Sequence, residues 1–180
     1  MNGIDPATSL LFEATSGRGT VDYTGLGSGS GVLAGTLLGA QPGEAAGDAL
    51  AVSGSAFNGA SLRIDCDTRG FANLTLAFAT RRSSTGFATN RLEYWTNAGW
   101  ETFATFGAST TSWQVASFDL SAIDGLEDGS ARLRISVDGA TGSTGTIRFD
   151  NFSISGSSIP APGALALLAI AGFVGRRRRA

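Results

Sequence analysis

A chain of 180 residues is long enough for one well-cored domain, and its 26 glycines are roughly twice the usual share. All 13 basic residues are arginine, set against 15 acids, and histidine is absent; this excludes His-based triads, imidazole bases, zinc–histidine sites and serine–lysine chemistry. Four of those arginines close the chain, so the body sets 9 against 15 acids, a balance of −6 that suits no polyanion; no nucleic-acid partner is expected, and the lone Cys66 cannot form an internal disulfide.

The opening, MNGIDPATSLLFEATSG, has neither the basic start nor the apolar run of an export signal: its apolar stretch is only Leu10 to Phe12, and Asp5 precedes it. For an exported chain the true start is therefore expected upstream, or export takes another route. Residues 1–9 form a loose lead-in. Leu10 to Ala14 and Thr20 to Tyr23 are predicted strands around a Ser16–Gly19 turn. The Gly-rich 25–31 stretch is turn chemistry rather than a phosphate loop, since no lysine exists. Val32 to Leu38 is a predicted strand, 41–47 a connection, and Ala49 to Val52 the next strand.

Alternation sharpens from residue 61. Leu62, Ile64 and Cys66 alternate with Arg63, Asp65 and Asp67, the period-2 signature of a half-buried strand, and Leu74, Leu76 and Phe78 repeat it. Leu92 and Tyr94 begin another strand with Trp95 on its opposite face, and Asn97 to Gly99 turn into Trp100 to Phe106. Trp113, Val115, Phe118 and Leu120 slip phase by one, which predicts a bulge. The 121–130 stretch holds at most a helical turn. Leu133, Ile135 and Val137 alternate, and Ile147, Phe149, Phe152 and Ile154 close the domain. Some ten short strands without a convincing helix before Pro160 describe an all-β antiparallel sandwich, with a jelly roll as the expected topology.

The tail, IPAPGALALLAIAGFVGRRRRA, joins a Pro-rich hinge to 13 almost wholly apolar residues, 163–175, and four consecutive arginines, Arg176, Arg177, Arg178 and Arg179. A membrane-spanning helix needs about 20 apolar residues. This run is short, yet it has no polar stripe to face water, and thinning with arginine snorkelling extends its reach. The arginines favour the anionic cytoplasmic surface, with the main domain outside. A packed C-terminal helix and a loose basic end are the other readings of these residues.

Pro160, Ala161, Pro162 and Gly163, followed by the apolar run and the arginine cluster, resemble the tripartite PEP-CTERM sorting signal of Gram-negative and related bacteria. Ala161 stands where that family carries glutamate. The resemblance implies an exported protein held at the inner membrane, processed near the motif by an exosortase-like protease, and then delivered to the cell surface or the extracellular space. A second resemblance covers much of 10–156. FANLTLAFATRRSSTG, SFDLSAIDGLED and VDGATGSTGTIRFDNFSISG are similar to the extracellular β-sandwich modules found ahead of such tails, which implies a jelly-roll, carbohydrate-binding-like fold. The expected organisation is lead-in (1–9), sandwich (10–156), linker with motif (157–163), apolar segment expected to form a short helix (164–175) and basic tail (176–180).

Four candidate sites follow from the residues. Glu13 on the first strand and Asp150 with Asn151 on the last converge if those strands are neighbours, offering oxygens for a structural Ca²⁺; the alternative is a solvated acid and a turn or bulge pair. Trp95, Trp100 and Trp113 have flat rings suited to the apolar face of a sugar, against ordinary packing. Asp65, Asp67 and Arg69 make an outward polar patch, and Arg81 to Thr85 a polar loop able to meet an anionic sugar. Paired carboxylates such as Glu127 and Asp128 give no reason to expect glycosidase chemistry. The function read from the sequence is a non-enzymatic surface or matrix protein, structural or adhesive in an exopolysaccharide setting. A carbohydrate-binding module engaging extracellular polysaccharide is the alternative.

Overall fold

Two faces of alternating side chains, one apolar and one polar, are satisfied by two antiparallel sheets packed face to face, and that is the arrangement found. The structure is a computed structural model that describes residues 11–160. The lead-in, Ala161, Pro162 and Gly163 of the motif, the apolar segment with its expected helix, and Arg176 to Arg179 lie outside the described residues.

The strands are β1 (Leu11–Glu13), β2 (Gly19–Asp22), β3 (Ser30–Ala34), β4 (Asp48–Ser53), β5 (Ser61–Asp67), β6 (Phe71–Arg82), β7 (Asn90–Thr96), β8 (Gly99–Phe106), β9 (Gln114–Asp119), β10 (Ser130–Ser136) and β11 (Thr146–Ser158). Sheet A runs β1-β2-β5-β10-β7-β8, and sheet B runs β3-β4-β11-β6-β9. The inner faces carry the predicted apolar phases: Leu62, Ile64, Leu92, Leu133 and Ile135 from sheet A meet Leu74, Leu76, Phe78, Ile147 and Phe149 from sheet B, all at most 4% exposed. Full burial of such a side chain stabilises by about 1.5–3 kcal/mol. Phe78 is the hub, with the rings of Phe106, Phe118, Phe149 and Phe152 centred 5.3–5.9 Å away in offset or edge contacts.

Several expectations are corrected. The third strand ends at Ala34, because Gly35 lies where a Cβ would meet Asp150 Oδ2 and the carbonyl of Ala46, and the chain turns there into the 35–47 loop. The bulge predicted between Val115 and Phe118 is absent, since β9 pairs with β6 in unbroken register; Val115 instead points outward, 45% exposed. The irregularities sit elsewhere, between Leu92 and Glu93 in β7 and, in β11, between Asp150 and Ser153 and between Ser155 and Ser157. Two short 3-10 segments, Thr24–Gly29 and Ser55–Phe57, had no counterpart in the sequence reading. The last strand is continuous to Ser158, and the Ile159 amide still donates to the Gly70 carbonyl.

The neighbourhood expected of the first and last strands is also corrected. Glu13 lies on β1 of sheet A, beside β2, whereas Asp150 and Asn151 lie on β11 of sheet B, between β4 and β6. The two strands therefore share no ladder.

Candidate functional site

In sheet A the register lays polar residues in rows across the outer face. One row runs Thr20, Asp65, Arg132, and the next runs Asp22, Arg63, Arg134, Glu93, Thr102. One step beyond the Leu133–Tyr94 pair, the first row continues to Trp95 and, directly opposite it, Trp100. The alternation that buries Leu133 and Leu92 inward necessarily sends Arg132, Arg134, Glu93 and Trp95 outward.

The β7–β8 hairpin fixes the tryptophans. Thr96 Oγ1 accepts from the Ala98 amide and donates to the Gly99 carbonyl, closing the turn. Cross-strand placement then brings the two indoles together at 5.3 Å and 73°, edge to face, with Trp95 42% exposed. The Arg134 guanidinium lies over the Trp100 ring, 4.5 Å from its centroid. That guanidinium is itself held by a fork to Glu93, Nε to Oε2 at 2.9 Å and Nη2 to Oε1 at 2.8 Å, while Ser136 Oγ donates to the same carboxylate. Glu93 is nearly buried. Burial pushes its carboxyl up, but the bonds from Arg134 and Ser136 and the charges of Arg134 and Arg91 more than offset this and hold it below the usual range.

The polar patch continues away from the tryptophans. Asp65 accepts from Arg63 at 2.7 Å and Arg132 at 3.0 Å, and Arg63 also reaches Asp22 at 3.2 Å. Asp67 is bonded by Arg69 at 2.6 and 2.9 Å and approached by Arg18 at 3.5 Å, which holds its carboxyl well below the ordinary range. A trough of about 1140 Å³ joins these groups, lined by Trp95, Asp65, Asp67, Arg69 and Arg132, with the 124–126 turn as one wall.

A cleft of about 1180 Å³ opens between the sheets beside β1, with Phe12, Ile64, Leu74, Leu76, Phe152 and Ile154 as apolar walls. Glu13 and Asn151 both line it. Asp150 sits behind, wholly buried, its Oδ2 accepting from the Thr36 amide and its Oδ1 from the Asn151 amide, both at 2.8 Å. Burial raises its carboxyl, with those amides pulling the other way. Asn151 spends its side-chain amide on the carbonyls of Thr36 and Leu38. The pair thus pins the 35–47 loop over sheet B, and among the described residues no three carboxylate or thiol side chains come together as a metal-binding group.

The tryptophan set divides. Trp95 and Trp100 form one unit, but Trp113 follows the 107–112 loop, where Gln114 reaches the Gly107 carbonyl at 2.9 Å. Trp100 stands seven residues back along the chain from Gly107, roughly 20 Å at strand rise. Sequence reasoning singled out Trp95, Asp65 and Asp67 but missed Arg134, Glu93 and Ser136. Their outward phase was available, whereas the placement of β10 between β5 and β7 was not.

No family model and no curated protein sequence matches the chain. Among solved structures it is similar to the xylan-binding module CBM15, with a TM-score of 0.50 at 12% identity over 83% of this chain and 98% of that one. It is also similar to TmCBM61 in complex with β-1,4-galactotriose (TM-score 0.48, 11% identity, 81% and 91% covered). A third is the CBM22-1 xylan-binding domain of Paenibacillus barcinonensis Xyn10C (0.46, 13%, 83% and 91%). At 12% identity the likeness to CBM15 is one of fold alone, an antiparallel two-sheet sandwich, and leaves the ligand to be argued from side chains.

Proposed function

We propose that this chain is a non-catalytic carbohydrate-binding module of jelly-roll type whose sheet A face takes a neutral polysaccharide. The observation that carries the reading is the Trp95–Trp100 pair: an exposed indole, braced edge-on by a second that Arg134 clamps, at the head of a polar trough. A flat π-face suits the apolar side of a pyranose ring. The carboxylates and guanidiniums along the trough have further lone pairs and N–H groups for sugar hydroxyls. They are already paired with one another, so a ligand of net charge gains little there, and a neutral glycan fits best. The fold shared with a xylan-binding module is compatible with this reading. Catalysis is not part of it. A general acid needs a raised carboxyl; Asp67 is held low, and Asp150, which is raised, lies behind a loop with both oxygens taken.

The test is a panel of neutral polysaccharides, xylan among them, on an array and in affinity electrophoresis. The full chain is expected to bind at least one, and Trp95→Ala to weaken that binding by at least about tenfold, or 1.4 kcal/mol. A uniformly negative panel would return the chain to a purely structural or adhesive role.

The tail supports a second, compatible proposal: the module is exported, held at the inner membrane by 164–179, and released or attached outside by an exosortase-like protease acting near Pro160 to Gly163. Its support is the order and spacing of hinge, apolar run and arginines.

A further inference from the structure

Of the nine arginines among the described residues, five are ion-paired, and Arg81, Arg82, Arg91 (on β7 of sheet A) and Arg148 are not. On and beside sheet A, Arg18, Arg63, Arg69, Arg132 and Arg134 are each within 3.5 Å of a carboxylate. On sheet B, Arg81, Arg82 and Arg148 make no ion pair among the described residues. Arg82 turns inward and is held by carbonyls, Nε on Ala108 and Nη1 on Ser83 and Ser84.

Arg81 and Arg148 turn outward. They stand directly opposite each other in the β6–β11 ladder, while their neighbours Thr80 and Phe149 are buried on the other face. Like charges so placed repel. Arg148 Nη1 donates to the Ala34 carbonyl at 3.3 Å, which leaves most of the ten N–H groups of the two forks facing out. Ala51, opposite Arg148, is already covered, and open space lies one strand further on, where nothing comes within 4 Å of a Cβ built on Gly31. The next row along brings hydroxyls, since Thr146 pairs with Ser53 and its amide donates to Ser83 Oγ at 2.9 Å. The next outward carboxylate along β11, Asp150, has both oxygens engaged by amides and lies under the 35–47 loop.

We propose that this row binds an acidic sugar unit of a polysaccharide, one bearing a carboxylate or a sulfate. Arg81 and Arg148 clasp the anion in forked hydrogen bonds, relieving their mutual repulsion. Ser53, Ser83 and Thr146 meet the hydroxyls of its ring. The balance of −6 does not oppose this locally. On the other sheet Asp22, Asp65, Asp67 and Glu93 are paired with arginines, and charges more than about 8 Å away are screened at physiological salt. The site is independent of the Trp95 trough, which lies on the opposite outer face.

The experiment is affinity electrophoresis of the full 180-residue chain in gels containing polygalacturonate, a sulfated galactan or an unsulfated galactan, at low and at physiological salt. At least one acidic polymer is expected to retard the chain more than the unsulfated galactan, with the effect falling as salt rises; which acidic gel does so identifies the anion. The double variant Arg81→Gln/Arg148→Gln is expected to weaken that retardation at least about tenfold while melting no lower than the parent, since a repulsion is removed. Trp95→Ala is expected to leave it unchanged. Equal retardation of parent and double variant, or no preference for an acidic polymer, overturns the site. So does a marked fall in melting temperature of the double variant, which would make the two arginines structural.

Discussion

Glu93 shows how one buried carboxylate organises the outer face of sheet A. It is the shared acceptor of Arg134 and Ser136, and through Arg134 it fixes the plane of Trp100 and hence the brace behind Trp95. Its folded carboxyl is depressed, so the unfolded chain takes up the proton first on acidification. Its stabilisation is therefore fully present above the ordinary glutamate range and is lost as pH falls through the folded value. Glu93→Gln keeps the shape but removes the charge from both bonds. Expected outcomes are a loss of about 2 kcal/mol at neutral pH by urea titration and a flatter decline of melting temperature in acid. Asp67 and Asp119, also depressed, keep part of that slope in the variant.

Among the elements, the break in β11 between Asp150 and Ser153 does the most. Asn151 takes a left-handed backbone, φ 52°, and this lets Asp150 face outward while Phe152 returns to the Phe78 hub. The outward carboxylate is then available to the 35–47 loop. Asp150→Ala strands the Thr36 amide and is expected to cost about 1–3 kcal/mol. It should also speed thermolysin cleavage at Leu37 and Leu38, both already exposed, with glycan binding at Trp95 unaffected. Equal cleavage of parent and variant would deny Asp150 its role as the loop's anchor. Most strands were legible in the sequence because their inner faces repeat with period two, as in Leu62, Ile64 and Cys66 or Leu133, Ile135 and Val137. The break in β11 was not, since Asp150 and Asn151 equally suit a turn. Val115 misled because an apolar residue on an outer face mimics a shift of phase. The site was half legible: outward Trp95 could be read from its neighbours, but its support depends on β10 entering the sheet between strands far away in the chain.

For the whole molecule, β11 runs to Ser158 and the Ile159 amide still donates to the Gly70 carbonyl, so sandwich pairing reaches the residue before Pro160. The proposed sorting reading then expects two native species by intact mass: a membrane form retaining Arg176 to Arg179 and an extracellular form ending near Pro162. A single cytoplasmic species with all four arginines would remove export from the account and leave the binding proposals standing on their own.

Sheet A and sheet B turn their outer faces in opposite directions, about 10 Å apart across the core. With a neutral polymer on one and an acidic polymer on the other, a single copy becomes a rivet between two kinds of strand. Its abundance would then set the stiffness of a mixed gel, much as staple density sets the give of a woven mat.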